Sequence, residues 1–248
     1  MRADDLGTPY DGPAVATRVV SLVPSITEAL ATDRRTALVG ATAWCTHPAD
    51  LDVARVRGTK NPDLRAVLAL EPDLVVANKE ENRELDVRRL RDAGAPVWVT
   101  DIETVPQALD SLGRLYEQAL GWPCPDWLIL ARSLWSGPVP DVTHRVAVAI
   151  WRDPWMVVGS NTYTGDLARR LGWENAHGAS ESRYPKVELA DLDSGDLDCV
   201  LLPDEPYAFT VDDGPEAFVR TRTRLVSGRL LTWYGPAMVE AYNTFAGQ

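Results

Sequence analysis

The sequence predicts an α/β protein built from two Rossmann-like lobes with largely parallel sheets, and three observations lead there. Short apolar, β-branched runs alternate with segments of helical spacing along most of the chain. That alternation stops between Thr104 and about Trp135, where apolar positions recur only at helical spacing. It then starts again, and the two halves echo each other: EPDLVVANKEEN (71–82) and DLDCVLLPDEPY (196–207) are both a strand running into an acidic loop.

The elements follow in order. RVVSLV (18–23) reads as a buried strand. PSITEALATD (24–33) reads as a helix whose Ser25 and Glu28 stand in capping-box spacing. TALVGATA (36–43) is the next strand. NPDLRAVLAL (61–70) is a helix, with Asn61 as cap and Pro62 in the first turn. LVVAN (74–78) is a strand, ENRELDVRRLRDAG a helix stopped by Gly94, and VWVT (97–100) a strand. Between Thr104 and Trp135, Val105, Leu109, Leu112, Leu115 and Tyr116 mark a long helix. Gly121, Pro123 and Pro125 then break it before a second helical segment. SGPVPDVTH (136–144) has the composition of a linker. RVAVAIW (145–151) opens the second α/β unit, and TYTGDLARRLG (162–172) is its helix. CVLLPD (199–204) and RLLTW (229–233) are strands, and PAMVEAYNTFA closes the chain as a helix. The expected organisation is a flexible N-terminal segment (1–17), a first lobe (18–103), a bridging helical segment (104–136) and a second lobe (137–248).

Ligands of open α/β sheets sit beyond the carboxyl ends of the strands. The loops after the strands are therefore expected to face one another across an interlobe cleft. In the first lobe they carry Ser25, Trp44, Cys45, His47, Glu80, Glu81 and Asn82. In the second they carry Trp151, Arg152, Trp155, Tyr163, Tyr184, Glu205, Tyr207, Trp233 and Tyr234. Aromatic residues alternate with charges in nearly every loop. Such a mixture suits a large, partly flat ligand gripped by stacking and a few polar anchors.

Composition narrows the partners. The chain has 248 residues, 45% hydrophobic and 25% charged, and a formal net charge of −11. No basic face is visible for nucleic acid, and the acidic balance disfavours docking on an anionic membrane. No apolar run approaches the roughly 20 residues needed to span a bilayer. The opening MRADDLGTPYDGPAVATR lacks the basic-then-apolar layout of a secretory signal, and three widely spaced cysteines form no disulfide framework. The expectation is a cytoplasmic protein, or an extracytoplasmic one from which a leader has been removed.

AWCTHPAD (43–50) raises the question of a metal. On an extended backbone Cys45 and His47 face the same way. With cleft carboxylates such as Glu80, Glu81, Asp204 or Glu205 they make a set suited to Zn²⁺ or another borderline transition metal ion. Alternatively, one of them is an axial ligand to a corrinoid cobalt or a haem iron. The plainer alternative is a buried thiol and a hydrogen-bonded imidazole. A Cys–His nucleophile pair is disfavoured, because residues i and i+2 of a strand stand about 6–7 Å apart.

RVVSLVPSITE, LVGATAWCTHP, GTKNPDLRAVLALEPDLVVANKEENR, GSNTYTGDLARRLGWENAH, RYPKVELADL and the closing WYGP together resemble the helical-backbone metal receptors. This class includes the vitamin B12 and siderophore receptors of ABC importers, and the resemblance covers roughly residues 18–245. It implies two α/β lobes bridged by one long helix, with the ligand in the cleft between them. By the same resemblance Trp44 falls where the B12 receptors place an aromatic residue against ligand. Trp233 and Tyr234 match a late cleft loop, and Glu84 lies near a carboxylate presented to the permease.

The reading is therefore a binding protein for a metal chelate or a corrinoid-, haem- or ferric siderophore-like ligand, more a carrier than an enzyme. Two alternatives stand beside it: a metal-dependent enzyme using Cys45 and His47, and an importer receptor working with an ABC permease.

Overall fold

The computed structural model describes residues 2–247. By its contacts the chain forms two compact units. The first comprises Met1–Ile102, Pro106–Arg132 and Tyr234–Pro236; the second comprises Glu103–Val105, Ser133–Trp233 and Ala237–Gln248.

The first unit opens with β1 (Val19–Ser21), α1 (Pro24–Arg34), β2 (Leu38–Ala41), β3 (Ala54–Arg55) and the small hairpin β4 (Arg57–Gly58) and β5 (Asn61–Pro62). It continues through α2 (Leu64–Ala69), β6 (Leu74–Asn78), α3 (Glu84–Asp92) and β7 (Val97–Thr100). The helical stretch α4 (Val105–Arg114), a π-helical turn (Leu115–Leu120) and α5 (Asp126–Trp135) follow. Five strands form one parallel sheet in the order β3-β2-β1-β6-β7. Its central strands are buried at every position, which is why β6 reads as the unbroken apolar run LVVA rather than as an alternation. Val20, Leu22, Val75, Ala77, Val97 and Val99 from the strands meet Val67, Val87 and Leu90 from the helices in one core.

Two local expectations change here. Ser25 and Glu28 do not form a capping box. The N-cap of α1 is Val23, Pro24 occupies the first turn, and Ser25 and Glu28 are buried. The cap of α2 is Asp63, whose carboxylate accepts the Ala66 N–H (3.1 Å), while Asn61 pairs across the β4–β5 hairpin. The Asp outcompetes the Asn because Pro62 lies between them and the helix starts only after it.

The N-terminal segment is packed rather than a flexible lead-in. The Asp5 N–H donates to the Val99 carbonyl (3.1 Å) and the Val99 N–H to the Asp4 carboxylate (3.3 Å), so the outer edge of β7 is occupied. Asp4 also pairs with Arg91 (2.6 Å), and the buried Tyr10 ring meets Trp98 edge-on at 5.4 Å. Gly121 is required by this docking. Its φ is +64°, and a Cβ there would collide with the Ala14 carbonyl.

The second unit contains β8 (His144–Trp151), β9 (Met156–Val157), α6 (Tyr163–Arg170), β10 (Trp173–Asn175), α7 (Leu189–Leu192), β11 (Cys199–Pro203), β12 (Thr223–Val226), α8 (Gly228–Thr232) and α9 (Ala237–Phe245). Its parallel sheet has the order β10-β8-β11-β12, with β9 folded back antiparallel on β8. Thr162 caps α6, accepting the Gly165 N–H at 3.1 Å. RLLTW is not a strand: residues 228–232 are the helix α8, and the strand lies just before it as β12. The apolar run misled because β12 itself, Thr-Arg-Leu-Val, is polar and largely exposed, as edge strands are.

Candidate ligand-binding loops

Because both sheets are parallel, the loops that follow their strands emerge at one end of each sheet. In the first unit the loop after β2 is built around two anchors. Cys45 is fully buried, its thiol held between the hydroxyls of Thr27 (3.1 Å) and Thr42 (3.2 Å), and burial pushes its pKa up. Arg55 staples the loop from the other side. Its guanidinium donates to the carbonyls of Thr42 (3.1 Å), Cys45 (2.9 Å) and Leu51 (2.9 Å). Between these anchors Trp44 is thrown outward, 66% exposed, with its indole beside Gly58 of the hairpin.

The metal reading of this loop is corrected by the same geometry. The segment turns rather than running extended, so Cys45 points into the core while His47 is exposed, its ring beside the Thr46 hydroxyl (3.2 Å). Among the described residues no group of three or more His, Cys, Asp or Glu is arranged to hold a metal ion.

The acidic loop after β6 is shaped by two asparagines. Asn78 accepts the backbone N–H of Glu80 (2.8 Å) and Glu81 (3.2 Å), and donates to Thr100. Asn82 is buried. It accepts the Asn78 N–H (2.8 Å) and donates to the Thr59 (2.9 Å) and Leu22 (3.3 Å) carbonyls. The amide of Asn82 is thus committed to backbone. Glu80 is exposed and Glu81 half-buried. Beneath them Tyr234, which counts with the first unit, is buried against Ser25 and Thr100. Burial holds its phenol well above its usual pKa. Ser25 is buried as well.

In the second unit Trp151, at the end of β8, is 44% exposed and meets the Tyr207 ring edge-on at 5.4 Å. The Tyr207 hydroxyl donates to Asp213 (2.6 Å), and that bond holds the Asp213 carboxyl below its ordinary pKa. Arg152 is bound to Asp213 and Glu216 and lies over the Trp155 ring at 5.7 Å. It orders the loop instead of offering a free cation. Trp155 is buried, stacked on Phe209 with centroids 5.8 Å apart, and belongs to the core. Tyr163 and Trp233 are also buried, the Tyr163 hydroxyl donating to the Trp233 carbonyl at 3.5 Å. Glu205 is half-buried; desolvation raises its pKa, against the pull of the Trp233 indole beside it. Tyr184 is half-buried in the ESRYPK loop.

Trp155, Tyr163, Trp233 and Tyr234, half of the predicted aromatics, are therefore buried, and each unit presents one exposed tryptophan from a strand-end loop. Sequence reasoning missed Arg55 and Asn78, which shape the loops. An Arg after a strand, or an Asn ending one, carries no signal until its carbonyl or amide partners are known.

Comparisons with known proteins fit this fold. A vitamin B12-binding protein of Pectobacterium carotovorum (strain PC1) is 31% identical over 219 residues, covering 85% of this chain and 76% of the relative. The chain belongs to the family of ABC-type solute-binding proteins for vitamin B12, siderophores and haem. A vitamin B12-binding protein of Salmonella typhimurium is 34% identical over 181 residues, 69% of this chain and 66% of that protein. Among solved structures, the periplasmic vitamin B12 binding protein BtuF of Vibrio cholerae superimposes with a TM-score of 0.72 at 16% identity, over 93% of this chain and 95% of its own. The periplasmic heme-binding protein RhuT from Roseiflexus sp. RS-1 gives 0.74 at 20% identity, over 93% and 98%. No family model matches the chain. The α/β class with parallel sheets is thus shared with the family.

Proposed function

We propose that the protein binds a flat, metal-containing macrocycle of the corrinoid or haem class, with Trp44 and Trp151 as the stacking anchors. The supporting observation is selective exposure. Of nine tryptophans, six are buried and Trp127 is half-buried. The two exposed ones, Trp44 and Trp151, each stand at a strand end or on the loop after it. Exposed indoles on rigid loops lose little side-chain entropy on stacking, which makes them efficient contacts. Glu80, Glu81, Tyr184 and Tyr207 supply polar edges, and the cargo brings its own metal. Vitamin B12 and haem are what the relatives are named for binding, which supports the ligand class.

Absorption titration with vitamin B12 and with haem tests this. Saturable spectral shifts at micromolar ligand support the reading, and the absence of a shift with both contradicts it. Trp44→Ala and Trp151→Ala should each weaken binding about tenfold or more, equivalent to about 1.4 kcal/mol.

We further propose that the protein works inside the cell as a carrier or accessory factor. Its three free cysteines, one exposed, fit a reducing compartment. Fractionation of the native host checks it: recovery with the periplasmic or surface fraction would favour an importer receptor instead. Solved relatives titled periplasmic are the observation behind that second reading. Under it, the exposed Glu84 at the start of α3 is the carboxylate offered to a permease.

A further inference from the structure

We propose that the outer edge of the second sheet, β12 with the arginines that lead into it, is a docking edge for an extended acidic segment of a partner protein. β12 ends the strand order, so one side of its backbone faces no strand among the described residues. Arg220, Arg222 and Arg224 are all exposed, and Leu225 and the 90% exposed Val219 lie beside them. None of the three arginines makes an ion pair among the described residues, although most arginines elsewhere in this acidic chain are matched to a carboxylate or a carbonyl. Arg224 is positioned over the Phe245 ring at 5.9 Å.

The segment is also held in place before any partner arrives. The Asp193 carboxylate accepts the backbone N–H of Val219 (3.0 Å), Arg220 (2.7 Å) and Thr221 (2.7 Å). Thr221 in turn accepts the Gly195 N–H (3.1 Å). β12 then pairs with β11 in unbroken parallel register from Thr223 to Val226. A rigid open edge is the template that β-strand addition uses, with main-chain bonds giving affinity and alternate side chains giving choice.

Charge selects the occupant. Natural edge strands are commonly guarded by charge, Lys above all. Here the residue is Arg, whose planar fork binds carboxylates bidentately. Pairing with a second copy of this edge would set arginine against arginine, which is unfavourable across strands. An extended segment with alternating Glu or Asp matches the spacing of Arg222 and Arg224 on one face. The inference concerns the side of the sheet, not its strand-end loops, and stands apart from the macrocycle reading.

The test uses the full chain and an eight-residue peptide of alternating Glu and Val, with a Lys-for-Glu control. The acidic peptide is expected to bind, to protect the amides of residues 222–226 from hydrogen exchange, and to weaken at least tenfold in Arg222→Gln/Arg224→Gln. Arg222→Lys/Arg224→Lys should restore only part of the affinity. Thermal melts of both variants, expected to match the wild type, confirm that the fold is kept. Equal binding of the Lys control, protection elsewhere but not at residues 222–226, or affinity unchanged in the Gln variant would overturn the proposal. So would dimerisation through this edge in sedimentation. Binding of polyphosphate or phosphatidylglycerol vesicles without any protection by the peptide would likewise overturn it.

Discussion

At the scale of residues, exposure separates the tryptophans proposed to meet ligand from those that build the core. Trp155 stacks on Phe209 and packs edge-on against Phe218 at 5.4 Å. Trp155→Ala should cost about 3–5 kcal/mol in chemical denaturation, as large aromatic deletions in cores do. Trp44→Ala should leave stability within about 0.5 kcal/mol, because surface truncations away from packed features have small effects. If the two variants lost equal stability, the division would fail. The sequence marks both residues as aromatic neighbours of a strand end. It cannot say which faces water, because that depends on where the loop turns. The Cys45–His47 pair shows the same limit. Spacing puts the two side chains together on a strand, but hydroxyls from Thr27 and Thr42 draw the thiol inward and leave the imidazole outside.

At the scale of elements, buried parallel strands were the most legible. β1, β6, β7, β8 and β11 lie where continuous apolar runs place them. What stayed hidden was β12, a polar edge, and the docking of residues 2–16, whose contacts lie about a hundred residues away. Tyr10→Ala should destabilise the first unit by about 3 kcal/mol. A flexible lead-in would show no change in the same melt.

The loop before β12 has its own pH signature. Amides of Thr221, Val219 and Arg220 stabilise the ionised Asp193 and lower its pKa below the unfolded value. Such a group adds stability above its unfolded pKa and loses it as pH falls through the folded one. Melting temperature of the wild type should therefore exceed that of Asp193→Asn at pH 7. The gap should close as pH drops through the ordinary carboxylate range, about 4, and below. Parallel curves across that range would show that the carboxylate charge contributes nothing.

For the whole molecule, the α/β class and the family were readable because strand-helix alternation and the LEPDLVVAN type of segment recur in both halves. The exposure of the candidate residues was not readable, since loops on parallel strands carry buried and exposed aromatics alike. Trp44 and Trp151 are proposed as the two indoles that meet the cargo. Tryptophan fluorescence during titration with vitamin B12, compared among wild type, Trp44→Phe, Trp151→Phe and the double variant, reads this directly. The account predicts saturable quenching in the wild type and weaker affinity in each single variant. The double variant should lose binding while its melting temperature stays unchanged. Full affinity in the double variant would contradict it.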